Sequence, residues 1–394
     1  MQIVLFHYYS HNPTPAYQEL ASALRCRGHK VWLGEPDRAG DLLWQDGEGM
    51  IQVTRGPQPV PKPWKIIPIL GGILRRLVLL GFIRRVRRVL KSYGPDVVQV
   101  NHASLGWLAA IPLFMPKGMY FVLDFRQVGQ RGATDPVGRL KGWLTDLYRR
   151  VCSRYIYDRA CFLHPAGARK ILGPVWQPWG DVVPLGVSPA FLALENDASS
   201  RGKEPVRFLY VGTLSRVRHL EQLIRAAREV ASRACGFRLV LMGNDAADGF
   251  YHDLVRDLDL ESAVSLKPPV PYEKEPATLA SHDVALAYVP ERPAHWQYHP
   301  TLKALEYRAA GMPIMASDNE PNRDIVQPGV NGLLVENSPG SLAEGMARFV
   351  HDPGFLRRCR AGAQQMRSGV TWMQVASLYE QVYLKLLRQN EGTS

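Results

Sequence analysis

At 394 residues the chain exceeds what one hydrophobic core usually serves, so two domains are expected. Hydrophobic residues at 46% and charged residues at 21% are globular proportions and exclude extended disorder. The formal charge is +12, and the five cysteines (Cys26, Cys152, Cys161, Cys235, Cys359) show no CxxC or CxxH spacing, which argues against a disulfide framework or a zinc site and fits a reducing cytoplasm.

The opening MQIVLFHYYS has neither a basic leader nor a cleavable apolar core, and it reads as a first strand, Gln2–His7. A helix from Tyr17 to Arg27, closed by Gly28, and a strand Lys30–Leu33 come next. From Trp64 to Tyr93 all the charges are basic. The uncharged runs there, Ile66–Leu74 and Leu77–Ile83, fall far short of the ~20 residues that cross a bilayer. Leu79, Phe82, Ile83, Val86, Val89 and Leu90 share one helical face; Arg84, Arg85, Arg87, Arg88 and Lys91 share the other, with Leu80 among them. Such a basic amphipathic helix suits the interface of an anionic membrane. A core-packed helix with a solvated basic face would show the same pattern. With no zinc-finger, RRM or KH signature, nucleic acid is not expected as a partner.

Strands with polar tips follow at Pro95–His102 and at Tyr120–Phe125, the latter ending Asp124-Phe125-Arg126. A polar, aperiodic stretch from Glu195 to Glu204 reads as a linker. Beyond it come the strand Val206–Val211, the loop Gly212-Thr213-Leu214-Ser215, and a helix Leu220–Ser232 with Leu220, Leu223, Ile224 and Ala227 on one face. Phe237–Met242 is a strand that turns at Gly243-Asn244-Asp245; Val264–Leu266 and Val284–Ala287 are further strands. This alternation predicts doubly wound parallel sheets, with ligands beyond the carboxyl ends of the strands. There is no G-x-G-x-x-G after the first strand and no Walker A sequence. A final helix, Trp372–Leu387, carries Val375, Leu378, Tyr379, Val382 and Leu386 at helical spacing.

The segment from His299 to Val335, HPTLKALEYRAAGMPIMASDNEPNRDIVQPGVNGLLV, carries the chemistry. A helix Leu302–Ala310 is stopped by Gly311 ahead of Pro313, and a buried strand Pro313–Ala316 follows. Amides of His299, Thr301 and Leu302 at the helix N-terminus favour phosphate. Lys303 lies in the first turn and Glu306 one turn later on the same side. A cation beside amides suits a diphosphate, and a carboxylate accepts from ribose hydroxyls.

This segment resembles the donor-binding segment of the family-4 retaining glycosyltransferases, which have the GT-B fold of two Rossmann-like domains. That family shows two glutamates eight positions apart; here the second is Glu306, and the first position is Tyr298. RGHKVWL, WGDVVPLGV (with Leu185 in place of an asparagine) and Gly329–Val335 resemble other family segments. The family's diphosphate-binding arginine and lysine fall at Thr213 and Arg218, with Arg216 nearby; Val270-Pro271-Tyr272 resembles the loop that borders the base.

The resemblance implies an acceptor-side domain over 1–190, a nucleotide-sugar domain over 191–371, and a terminal helix over 372–394 that crosses back to the first. It implies transfer from a nucleoside diphosphate sugar, with retention, to a glycan or lipid-linked acceptor of envelope or surface-glycan assembly. Arg218 and Lys303 would stabilise the leaving diphosphate, without a cofactor or metal. Arg126, Asp124 and His102, at strand tips, are candidates near the transferred sugar; Gly212, Thr213, Gly243, Asn244, Tyr272, His299, Thr301, Leu302 and Glu306 are candidates for the nucleotide. The setting implied is the cytoplasm, peripherally on the inner membrane face. A sugar-nucleotide epimerase of the same fold and a non-catalytic GT-B scaffold subunit are the alternatives.

Overall fold

The computed structural model describes residues 1–7, 15–37, 41–56, 68–102, 111–115, 118–126, 136–194, 205–233, 236–292 and 294–391. The linker expected at 195–204 lies outside them. The chain divides into two compact units, the first taking Met1–Arg126, Leu140–Leu185 and Trp372–Ser394, the second taking Gln127–Arg139 and Gly186–Thr371.

Unit 1 is an eight-stranded sheet of β1 (Gln2–Phe6), β2 (Lys30–Pro36), β3 (Leu42–Gln45), β4 (Met50–Thr54), β5 (Val97–Asn101), β6 (Tyr120–Phe125), β7 (Arg159–Phe162) and β8 (Gly180–Val182). Its order is β4-β3-β2-β1-β5-β6-β7-β8. All pairs are parallel except β2–β3 and β3–β4. Ile3, Val4, Leu5 and Phe6 are all buried, as a parallel strand covered on both faces requires. The β3–β4 hairpin is pinned by the buried Trp44, whose Nε1–H donates to Thr54 Oγ1 at 2.9 Å. Helices α1 (Pro15–Cys26), α2 (Pro68–Tyr93), α3 (Pro136–Tyr155) and α4 (Pro165–Leu172) connect these strands.

The structure corrects one expectation about α2. Phe82, Ile83, Val86, Val89 and Leu90 are buried within the protein, while Arg84, Arg88 and Lys91 face solvent. The Leu79 side chain lies outside the described residues. Where its side chains are described, the apolar face of α2 is consumed by the core and its basic side is solvated.

Unit 2 holds β9 (Val206–Val211), β10 (Leu214–Ser215), β11 (Phe237–Met242), β12 (Asp245–Ala246), β13 (Val264–Lys267), β14 (Val284–Ala287), β15 (Ile314–Ser317) and β16 (Gly332–Val335). The main sheet is all parallel in the order β13-β11-β9-β14-β15-β16, with β10 and β12 paired separately. Counted within that sheet, the order is 3-2-1-4-5-6, so the direction of winding reverses between β9 and β14. Helices α5 (Glu221–Arg233), α6 (Leu302–Ala309) and α7 (Pro339–His351) pack around it. Leu223, Ile224, Ala227 and Val230 of α5 enter a core shared with Phe208, Leu239, Leu286 and Phe349.

The last helix, α8 (Trp372–Glu391), belongs to unit 1 and packs on α1. Val375, Tyr379, Val382, Tyr383 and Leu386 are buried, and Glu380 pairs with Arg27 and with His29 Nε2, the latter at 3.0 Å.

Candidate functional site

The carboxyl ends of β9 and β11 are zipped together by backbone. Gly212 N–H donates to Met242 O at 2.8 Å, Leu214 N–H to Asn244 O at 2.9 Å, and Gly243 N–H to Lys267 O at 2.9 Å. A side chain at Gly243 would place its Cβ 1.9 Å from the Gly212 carbonyl oxygen, so only glycine allows this approach. A Cβ on Gly212 would sit 2.8 Å from the Tyr210 hydroxyl and 3.1 Å from Lys303 Cε. The two loops therefore present a backbone floor beside Lys303, while Thr213 and Asn244 are exposed.

Lys303 enters from α6. Thr301 caps that helix, its hydroxyl accepting from Ala304 N–H at 3.3 Å. At the other end Gly311 (φ +66°) closes the helix with Gly311 N–H to Arg308 O and Met312 N–H to Tyr307 O, a Schellman pattern. The dipole's positive end is thus held at Thr301–Lys303, with His299 just before it, half-buried, its Nδ1 3.3 Å from Pro300 O. Lys303 is half-buried. Burial and then the Arg218 guanidinium lower its pKa, with Glu306 and Glu275 opposing.

Glu306 lies a turn beyond Lys303 and is buried. Burial pushes its carboxyl up to about 7; the hydrogen bond from Tyr272 Oη, 2.8 Å from Oε1, works against that, Glu275 with it, and Lys303 against it. Arg218 sits on the 3-10 turn Arg216–Arg218, which ends at His219 in the left-handed region (φ 50°). Its guanidinium lies over the Trp296 ring, 4.1 Å from the centroid. Arg218, Lys303, Glu306, Tyr272 and Gly212 thus meet at the carboxyl side of the unit 2 sheet. Glu275 and Trp296 belong to the same group and were not singled out from the sequence. Glu275 follows Tyr272 within PYEKE, a surface-like run with no spacing to mark it.

Unit 1 gathers the remaining candidates at its own strand tips. Asp124 is buried and accepts from Tyr17 Oη at 2.5 Å, Arg126 Nε at 2.7 Å, Gln99 Nε2 at 3.0 Å and Tyr379 Oη at 2.9 Å. Arg126 Nη2 also donates to Tyr379 Oη at 3.2 Å, and Tyr383 donates to Gln99. Asp124 and Arg126 are therefore engaged with each other and with the last helix. His102 is buried and stacks on Phe125 at 5.1 Å. His7 stacks on Tyr17 at 5.0 Å; burial first, then Arg126, lower its pKa to about 4, so it is neutral near pH 7.

Comparison with known proteins bears on the family and the fold. A Glycosyl transferase 4-like domain matches residues 13–186, and Glycosyl transferases group 1 matches residues 194–366. The D-inositol 3-phosphate glycosyltransferase of Kineococcus radiotolerans is 32% identical over 318 residues, spanning 72% of this chain and 69% of that protein. Sucrose-phosphate synthase from Thermosynechococcus elongatus is similar in structure with a TM-score of 0.75 at 18% identity, over 98% of this chain and 99% of that one. Anabaena HepE in complex with UDP and glucose gives a TM-score of 0.67 at 14% identity, over 98% and 100%. The fold is GT-B. The chain belongs to the group 1 glycosyltransferases.

Proposed function

We propose that the chain moves a sugar from a nucleoside diphosphate sugar to an acceptor with retention of anomeric configuration, in the assembly of an envelope or surface glycan. The observation that carries this reading is the meeting of Arg218, Lys303 and Glu306 with Tyr272 at the winding reversal of the unit 2 sheet. The two cations face a departing diphosphate, and the α6 N-terminus adds its dipole. Glu306 accepts from the ribose hydroxyls in the place now taken by the Tyr272 hydroxyl. Gly212 and Gly243 let phosphate come close to main-chain amides. The UDP in the HepE complex and the inositol phosphate named for the Kineococcus relative make UDP-sugars and a phosphorylated polyol the first substrates to try.

In this reading the acceptor oxygen bonds to the anomeric carbon on the face from which the phosphate leaves. The leaving phosphate oxygen takes the acceptor proton, and nucleoside diphosphate departs. The protein supplies position and cationic stabilisation, with Arg218 and Lys303 in the part a divalent ion takes in other transferases. Tyr298 offers a phenol where a second carboxylate is usual, so recognition of the sugar falls to the amides at the start of α6.

The test is turnover of a panel of UDP- and GDP-sugars with polyol and glycan acceptors, with product anomers read by proton NMR. Retained configuration and activity that survives a chelator are expected. An inverted anomer overturns the retaining assignment, a requirement for divalent ion overturns the cationic one, and failure to bind any nucleoside diphosphate overturns the reading as a whole.

A further inference from the structure

The main chain on either side of Arg218 is clamped. Tyr251 Oη donates to Ser215 O at 2.9 Å and accepts from Leu220 N–H at 3.2 Å, while Tyr288 Oη donates to His219 O at 3.2 Å. The turn Arg216–Arg218 therefore launches its side chains from a fixed point. The Arg218 guanidinium is held differently. Among the described residues no hydrogen bond or ion pair restrains it, and Arg218 is half-buried. Lys303 faces it with a like charge: burial first, and then Arg218, lower the Lys303 pKa. A long side chain set against a like charge gains both entropy and electrostatic relief by swinging out to water. The contact that opposes this is Trp296, whose ring centroid lies 4.1 Å from the guanidinium carbon.

The connection that carries Trp296 is itself anchored. Val289, just beyond β14, donates its N–H to Ser317 Oγ at 2.8 Å, and its carbonyl accepts from Asn337 Nδ2 at 2.8 Å. Gln297 Nε2, beside the tryptophan on the 3-10 turn Ala294–Tyr298, donates to Pro290 O at 2.8 Å. The indole is thus a platform fixed from below. An aromatic face attracts a guanidinium through its quadrupole, and tryptophan does so best. It holds the cation without neutralising it, whereas a carboxylate in the same place would cancel the charge that a diphosphate has to meet. The neighbouring Arg216 is engaged elsewhere, over the Phe250 ring at 3.5 Å. We propose that Trp296 is a positioning residue for the leaving-group cation: its ring holds the Arg218 guanidinium in the donor site, and it acts on the diphosphate only through Arg218. This inference rests on the reading of Arg218 as a diphosphate-binding cation.

A double-mutant cycle on the full chain tests it, with UDP and GDP as probes in titration calorimetry and the tighter of the two followed throughout. Trp296→Leu should weaken that nucleotide by roughly three- to ten-fold, the scale of a lost cation–aromatic contact. Trp296→Phe keeps a ring and should stay within about two-fold of the wild type. In an Arg218→Ala background, Trp296→Leu should change affinity by less than about two-fold, because the ring has nothing left to hold. Should the leucine variant melt early, Trp296→Met takes its place in the same cycle under the same expectations. Equal losses in the two backgrounds overturn the proposal, since the indole would then touch the nucleotide itself or merely support its loop. Wild-type affinity in both the leucine and methionine variants overturns it as well. Wild-type affinity in Arg218→Ala alone is a different pattern: it removes Arg218 from the donor site, and this inference goes with it.

Discussion

Glu306 is held half-protonated near neutrality by its burial, although a lysine lies one turn away. In the unfolded chain it titrates near the ordinary value of 4.5. Between 4.5 and about 7 the folded form therefore binds more protons, and its contribution to stability falls as pH rises through that window. Relative to Glu306→Gln, the wild type should lose up to about 3 kcal/mol across it, read from urea midpoints at each end. Ligand binding moves the proton the other way. Ribose hydroxyls need the carboxylate as acceptor, so nucleoside diphosphate binding near pH 6.5 should release a proton. Calorimetry in buffers of different ionisation enthalpy measures this, and Glu306→Gln should abolish it. Lys303→Ala should weaken the nucleotide by about 1.5–3 kcal/mol, the scale of a charge-assisted contact. Unchanged affinity would remove Lys303 from the site. Lys303, Glu306 and Gly311 were legible because cap, cation, carboxylate and stop follow one another within α6. Glu275 and Trp296 reach the same spot from other segments, and nothing local in the sequence joins them to it.

At the scale of elements, the buried Asp124–Arg126 pair and its tyrosines join the tips of the unit 1 strands to α8. Asp124→Ala leaves a buried guanidinium uncompensated, which costs about 3–5 kcal/mol. Tyr379→Phe removes one shared hydroxyl and should cost about 1 kcal/mol. Comparable losses from the two would show that the pair is more exposed to water than the geometry indicates. The strands of unit 2 were readable in the sequence because buried parallel strands are short apolar runs between turn residues. The β3–β4 hairpin was not, since Leu42–Gln45 is too short for alternation to stand out. Helices α2 and α3 show the other limit. Periodicity records that apolar and basic residues are segregated, and not whether core or solvent lies against the apolar side; in α2 the stripe is inside, in α3 outside.

For the whole molecule, the strands of unit 2 all come from Gly186–Thr371, whereas unit 1 draws on Met1–Arg126, Leu140–Leu185 and Trp372–Ser394. The bond between Tyr379 and Asp124 spans 255 positions. Synthesis delivers Asp124 and Arg126 long before the hydroxyls that complete their hydrogen bonds. On the ribosome, unit 2 has all its strands while unit 1 still lacks its last helix, which inverts the usual amino-to-carboxyl order of domain completion. Nascent chains arrested so that emergence ends at Thr371 should therefore yield a protease-resistant unit 2 and a cleavable unit 1, with resistance of the latter appearing only once α8 emerges. A resistant unit 1 before that point would contradict this order. A chain cut short before Trp372 would, on this order, leave the first-made unit without the helix that its buried Asp124 and Gln99 bond to.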